Sequence, residues 1–149
     1  MEQPGSGSGL RFIHVSEAPP REFLAQMHGD RRVGVYGQIL EWNADRFVAY
    51  TKYEPGVILA RHAHKSDSLI FILEGEVTIG ERLCTPGTLI VLEKDTFFGP
   101  LIAGPEGCTF LESYAGDVAS THEDEDSYQE LLASRGITSI ALGGVRQER

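Results

Sequence analysis

The sequence predicts an all-β domain, a sandwich or barrel of antiparallel strands, followed by one short helix. Three observations carry this expectation. From Val33 to Tyr114 the chain breaks into short runs rich in β-branched, aromatic and apolar residues, at the spacing of a β-sandwich or barrel. Turn residues punctuate the runs at Asn43-Ala44-Asp45, Glu54-Pro55-Gly56, Glu74-Gly75 and Pro86-Gly87. Connections this tight join antiparallel neighbours, whereas parallel strands need a long crossover.

Taken in order, residues 1–10 form a Gly/Ser-rich flexible tail, too poor in apolar groups to offset the entropy of ordering it. Val15 to Arg21, with Pro19-Pro20, reads as an extended arm. Glu22 to His28 is expected to add a helical turn. The barrel spans residues 11–117, with strands expected at Val33–Trp42, Arg46–Tyr53, Val57–His64, Leu69–Leu73, Val77–Ile79, Leu89–Leu92 and Cys108–Tyr114. Residues 118–149 form an extension with a short amphipathic helix. Acids at Glu123 to Asp126 begin it and Arg135-Gly136 ends it, which complements the helix dipole and supplies a C-cap. Ile137 to Leu142 is apolar and packs either on the barrel or across a dimer.

The 149 residues make one domain, large enough to bury a core without disulfide or zinc staples. A net charge of -9 with scattered basic residues argues against nucleic acid as a partner. No apolar run reaches the length of a membrane helix and the N-terminus lacks a signal-peptide pattern, so the expectation is a cytoplasmic protein with no membrane partner. Cys84 and Cys108 read as small buried hydrophobes. There is no G-x-G-x-x-G after a strand, no P-loop and no G-x-S-x-G elbow, hence no nucleotide cofactor.

The chemistry centres on His62-Ala63-His64. Histidines two apart on a strand face the same way, and if that face is the barrel interior their imidazoles converge on one cavity. They then serve as metal ligands or as acid and base on a substrate, or sit as a satisfied interior pair. On the strand Phe47–Tyr53, Tyr50 and Lys52 share one face while Ala49, Thr51 and Tyr53 share the other, and the phase is open. Tyr50 and Lys52 are candidates for a proton donor and a cation. Glu112 and Tyr114 are a candidate acid and phenol on a common face. Trp42 is a rim or core anchor. His14, His28 and His122 stand in loop-like settings and are assigned no role.

The stretch Gly56 to Gly75 resembles the first motif of the cupin family, G-x5-H-x-H-x3-E-x6-G, with Gly56, His62, His64 and Gly75 in register. Leu73-Glu74-Gly75-Glu76-Val77 and Pro86-Gly87-Thr88 before Leu89–Leu92 are also similar to cupins. The resemblance implies a double-stranded β-helix, a jelly-roll barrel with a ligand cavity inside its mouth. It implies a homodimer as well. Two metal-ligand positions depart from the pattern: Ser68 stands at the glutamate and Phe98 at the third histidine. A metal would rest on His62, His64 and a nearby carboxylate, Asp67 first, with Glu93, Asp95 and Glu112 more remote.

The expected function is a small-molecule cupin enzyme acting on an organic acid, carbonyl compound or natural-product intermediate in an apolar cavity. Its catalytic candidates are His62, His64, Tyr50 and Tyr114, with Tyr53 as a further proton donor. Ser68, Phe98, Trp42, Lys52 and Glu112 are the substrate-binding candidates. In one form His62, His64 and Asp67 hold a divalent Fe, Mn, Ni or Zn for dioxygenase or Lewis-acid chemistry. In the other a histidine is the general base of a metal-free lyase, isomerase or cyclase. The alternative is a non-catalytic small-molecule binding or sensor cupin.

Overall fold

A computed structural model describes residues 9–142 of the chain. Eleven strands and one helix run in the order β1 (Pro20–His28), β2 (Arg31–Trp42), β3 (Phe47–Tyr53), β4 (Ile58–Leu59), β5 (His62–His64), β6 (Ser68–Ile79), β7 (Arg82–Cys84), β8 (Leu89–Leu92), β9 (Leu101–Tyr114), β10 (Ser120–His122), α1 (Glu125–Ser134) and β11 (Ile137–Ile140). A short 3-10 turn at Val15–Glu17 precedes them. The principal sheet runs β11-β1-β2-β3-β9-β6-β7, with β4 on β9 and β8 on β6; β5 and β10 form a separate pair. All pairings are antiparallel. The all-β double-stranded β-helix with a short C-terminal helix is thus the observed fold.

The long ribbon of β6 and β9 organises the barrel. Their pairing runs from Ser68↔Tyr114 to Ile79↔Leu101, with register shifts between Ile72 and Glu74 and between Gly75 and Val77. Two expected strands, Leu69–Leu73 and Val77–Ile79, are therefore one bent strand. At the bend Gly75 has φ +71°, and a Cβ there would lie 2.1 Å from the Gly107 carbonyl oxygen. Only glycine lets the two backbones approach this closely.

Opposed residues of β3, β9 and β6 share a face. Ala49, Glu112 and Ile70 form one inward row, Phe47, Tyr114 and Ser68 a second, and Thr51, Phe110 and Ile72 a third. Val35, Tyr53, Leu59, Phe98 and Phe110 continue this core. Cys84 and Cys108 are buried free thiols, and burial pushes the Cys108 thiol up to about 12.

Two expectations are corrected by the sheet and one open alternative is decided. Glu22–His28 is not a helical turn but part of β1, because Leu24 and Ala25 join a β1–β2 hairpin turned at Gly29, whose φ is +67°. The expected strand Val57–His64 is interrupted into β4 and β5, which pair with different partners, β9 and β10. Of the two placements open for Ile137 to Leu142, packing on the barrel is the observed one: Ile137–Ile140 pairs with Ala25–His28. The C-terminal helix forms where expected, with Asp124 as its N-cap and Gly136 at φ +71° beyond its end. Of the expected tail, only Gly9 and Leu10 fall within the described residues, as does the extension only to Leu142. No described helix is long and apolar enough to cross a membrane.

Substituting Gly75→Ala is expected to lower unfolding free energy by at least about 1–3 kcal/mol from the left-handed backbone alone. The collision with Gly107 adds to it. A lower urea midpoint at unchanged slope is the expected reading, and an unchanged midpoint would show that the bend does not need glycine.

Candidate functional site

Strand β5 lies between β10 and the Phe98 segment. His62 exchanges backbone hydrogen bonds with Phe98, its N–H donating to the Phe98 carbonyl at 3.0 Å and its carbonyl accepting at 2.9 Å. On the other side His62 and His64 oppose His122 and Ser120. Both side chains are buried, and their rings meet edge-on with centroids 4.9 Å apart. The two-residue spacing therefore does bring them together at one cavity.

Backbone carbonyls orient both imidazoles. His62 Nδ1 lies 2.6 Å from the Ala60 oxygen and His64 Nδ1 lies 3.3 Å from the Val118 oxygen. A carbonyl only accepts, so each Nδ1 carries the proton and each Nε2 keeps a lone pair. His64 Nε2 meets the Tyr114 hydroxyl at 3.3 Å. Tyr114 donates to Glu112 Oε1 at 2.7 Å, and Thr51 donates to Glu112 Oε2 at 2.5 Å. The result is a polar run Thr51–Glu112–Tyr114 that abuts His64, in which the single phenolic proton goes either to Glu112 or, when Glu112 is itself protonated and donates to Tyr114, to His64 Nε2. His62 Nε2 has no protein hydrogen-bond partner among the described residues.

Around this chain the wall is apolar, with Val35, Ile39, Phe47, Ile70, Phe98 and Phe110 among its residues; the cavity volume is about 60 Å³. Burial lowers the His62 pKa to about 4, with the neighbouring His64 acting in the same direction. It lowers His64 too, only partly opposed by the hydrogen bonds to Val118 and Ala119. Both are neutral imidazoles near pH 7. Burial raises Glu112 despite the bonds from Thr51 and Tyr114, and holds the Tyr114 and Tyr53 phenols well above their ordinary value.

The expected residues divide by the parity of their strands. His62, His64, Glu112, Tyr114, Phe98 and Trp42 line the cavity, as does Tyr53. Tyr50 and Lys52 do not: they lie on the outer face, because Ala49, Thr51 and Tyr53 occupy the inward positions of β3. Ser68 is buried in the inward row, yet it is absent from the cavity wall, and its Oγ has no hydrogen-bond partner among the described residues. Asp67 is exposed, one residue out of phase, and its Oδ1 accepts the Lys94 backbone N–H at 2.8 Å. The sequence reading missed His122, whose ring centroid lies 5.9 Å from that of His62. Only the β5–β10 pairing brings it there, and no local pattern announced it.

These residues do not fit a resident divalent metal of the kind the motif implies. Phe98 packs its ring 4.7 Å from His62 where a third imidazole would stand. Asp67 points away, Ser68 supplies only a hydroxyl, and Glu93 and Asp95 are exposed. Among the described residues no group of three or more His, Cys, Asp or Glu is arranged to hold a metal ion. Two imidazoles alone make a weak site.

Neutral histidines give the fold a pH signature. An unfolded imidazole takes its proton near pH 6.5 but His62 in the folded chain only near 4. Between those values the unfolded chain binds more protons, so stability falls as pH falls, by roughly 3 kcal/mol from His62 alone. Glu112 acts in the opposite sense, since its folded acid form is favoured and that contribution fades as pH rises past the ordinary carboxylate range. Urea unfolding of the protein from pH 7 to 4 is expected to show the loss, and His62→Gln to flatten it. An equal slope in the variant would overturn the assignment.

No protein-family model matches the chain, and no curated protein matches it. Solved structures do. A sugar phosphate isomerase from a cupin superfamily, from Silicibacter pomeroyi, superposes with a TM-score of 0.60 at 16% identity, over 76% of this chain and 82% of that one. An RmlC-like cupin from Shewanella frigidimarina gives 0.57 at 17% over 78% and 95%. An acetylacetone dioxygenase from Acinetobacter johnsonii gives 0.60 at 13% over 85% of each chain. Together with the barrel topology and the in-register motif, these likenesses show that the chain has the cupin fold.

Proposed function

We propose that this chain is a metal-independent acid–base enzyme of the isomerase or lyase class. Its substrate is a small carbonyl or hydroxy compound with a largely apolar body. The observation that carries the reading is the polar run Glu112–Tyr114–His64 beside His62 Nε2, which has no hydrogen-bond partner among the described residues, inside an apolar wall. In such a setting neutral imidazole is a ready proton acceptor, and a phenol backed by a carboxyl group is a proton donor.

His62 Nε2 takes a proton from a carbon or hydroxyl of the substrate while Tyr114 gives one to the substrate oxygen. Glu112, favoured in its acid form by burial, restores the tyrosine proton. The imidazolium then returns its proton at the neighbouring atom in an isomerisation, or to a leaving hydroxide in a dehydration, while the enediol or enol oxygen gives a proton back through Tyr114 to the Glu112 carboxylate and restores the carbonyl. Thr51 holds the second Glu112 oxygen, and the bond to Val118 holds His64 in the tautomer that faces Tyr114. The likenesses to an isomerase and to a dioxygenase of a diketone support a small-molecule enzyme. The wall carries no Lys or Arg, so it favours an uncharged oxygen over a phosphate.

The test uses chelator-treated protein in D2O with a panel of β-diketones, α-hydroxy ketones and 3-hydroxy acids of low mass, followed by proton NMR. Deuterium is expected next to a carbonyl of at least one compound. His62→Gln and Tyr114→Phe should slow it by about 10²–10⁴-fold while the variants stay folded. Turnover that vanishes with chelator and returns with a divalent metal would overturn the metal-free mechanism. Saturable binding without exchange would make the chain a binding module instead.

A further inference from the structure

The cavity around Tyr114 and Glu112, about 60 Å³ in volume, has room for about five water-sized groups. A carbonyl with its immediate neighbours fits there; the body of a larger molecule does not. Against the same wall lies a second, wider hollow of about 330 Å³ that the mechanism leaves unused. Phe23, Leu59 and His62 line both spaces. Among the described residues the sealed side-chain nitrogen and oxygen atoms without a hydrogen-bond partner are Glu41 Oε1 and Ser68 Oγ. His62 Nε2 lacks a partner too and is not one of them, so it borders open space. His122, its ring centroid 5.9 Å from that of His62, belongs to the wall of the wider hollow.

Most of that wall comes from the C-terminal extension, which is firmly seated on the barrel. Tyr128 of α1 donates to the Ile58 carbonyl at 2.8 Å. Gln26, fully buried on β1, donates to the same carbonyl at 3.1 Å and accepts the Ile58 N–H at 3.0 Å. Leu132 packs with Ile58 and Ile137. A wall fixed in this way is preformed, so a ligand does not have to order it on binding. Its lining is apolar at Phe23, Leu24, Leu59 and Ile140 and polar along α1 and β11. Glu125 Oε2 accepts from Gln129 Nε2 at 2.8 Å, Glu125 Oε1 lies 3.4 Å from His122 Nδ1, and Gln129 Nε2 lies 3.5 Å from Ser139 Oγ. No Lys or Arg lines the hollow, and Glu125 is its one carboxylate.

We infer that this hollow is the subsite for the body of the ligand, and that the body is uncharged and about the size of an aryl ring. Its carbonyl being set against His62 rests on the acid–base reading above; the subsite itself does not. Volume decides the size, since the hollow has more than five times the room of the cavity and takes a ring with a short linker. Burial of the ring on the apolar lining supplies affinity. Charge decides the class. A carboxylate or phosphate on the body would meet Glu125 with no Lys or Arg to hold it, in a chain of net charge -9.

The test is an NMR titration of the full chain with three ketones: 2-butanone, 4-phenyl-2-butanone and the para-carboxylate of the latter. The phenyl ketone is expected to bind at least about 10-fold more tightly than 2-butanone, from burial of the ring. Its carboxylate should bind roughly 5-fold more weakly than the phenyl ketone, and Glu125→Gln should remove that difference. Ala141→Trp, at an exposed position beyond the end of β11, fills the hollow and should abolish the gain from the ring while leaving 2-butanone unchanged. Ser139→Trp does the same from an exposed position within β11 and is the second variant should the first not fold. A phenyl ketone bound no better than 2-butanone would overturn the inference, as would a gain that survives both tryptophans. Deuterium exchange separates the subsite from the acid–base reading. Ring affinity that the tryptophans remove, with no exchange beside any carbonyl, sinks that reading and keeps the subsite; exchange without a gain from the ring does the reverse.

Discussion

The pairing of β6 with β9, and of β9 with β3, is the constraint on which the rest of the structure depends. A strand alternates its side chains with a period of two, so one register decides the destination of every residue on the ribbon. In the observed register Glu112 and Tyr114 enter the cavity while Leu111 and Ser113 leave it. A slip of one residue would bury the outward Leu111 and Ser113 and eject the acid and the phenol. The bend at Gly75 and Gly107 lets both ends of the ribbon serve the same barrel, because the two backbones touch there without side chains between them.

Burial in an apolar wall then sets the electrostatics. The same desolvation that makes both histidines neutral raises Glu112 and the two phenols, so the cavity holds polar groups with little formal charge near neutral pH. Specific partners hold the imidazole Nδ1 atoms and the carboxyl: backbone carbonyls for the former, Thr51 and Tyr114 for the latter. Ser68 and Phe98, where the cupin motif has a carboxylate and an imidazole, fit the same arrangement. Phe98 fills with a ring the space in which a further donor would have drawn in an ion, and its packing on His62 adds to the desolvation.

Much of the barrel was legible because its strands and turns are local. The hairpin at Asn43 to Asp45, the acidic start of α1, its glycine stop, and the convergence of His62 with His64 follow from period, propensity and spacing. The site was only partly legible. Glu112 and Tyr114 were recognised as a pair but not their phase, and Tyr50 with Lys52 had an equal claim to the interior until β3 was placed. Asp67 was attractive because it is a carboxylate next to the motif position, yet adjacent strand positions point to opposite faces. His122 was invisible because its neighbour in space is sixty residues earlier in the chain, joined only through β5 and β10.

By itself the sequence determined the class of fold, the bounds of β2, β3 and β8 to within about two residues, the one helix and the pair of histidines, since these rest on interactions between residues close along the chain. Tertiary structure alone decided which face of each strand is inside, that Glu22–His28 extends the sheet, that His122 approaches His62, and that Tyr114 links Glu112 to His64. The physical reason is that hydrogen-bonded pairing between distant strands, not local preference, sets register. The exposed Leu69, Phe71, Leu89 and Val91 show both halves of this division: each is plain in the sequence, and only the register assembles them into one surface.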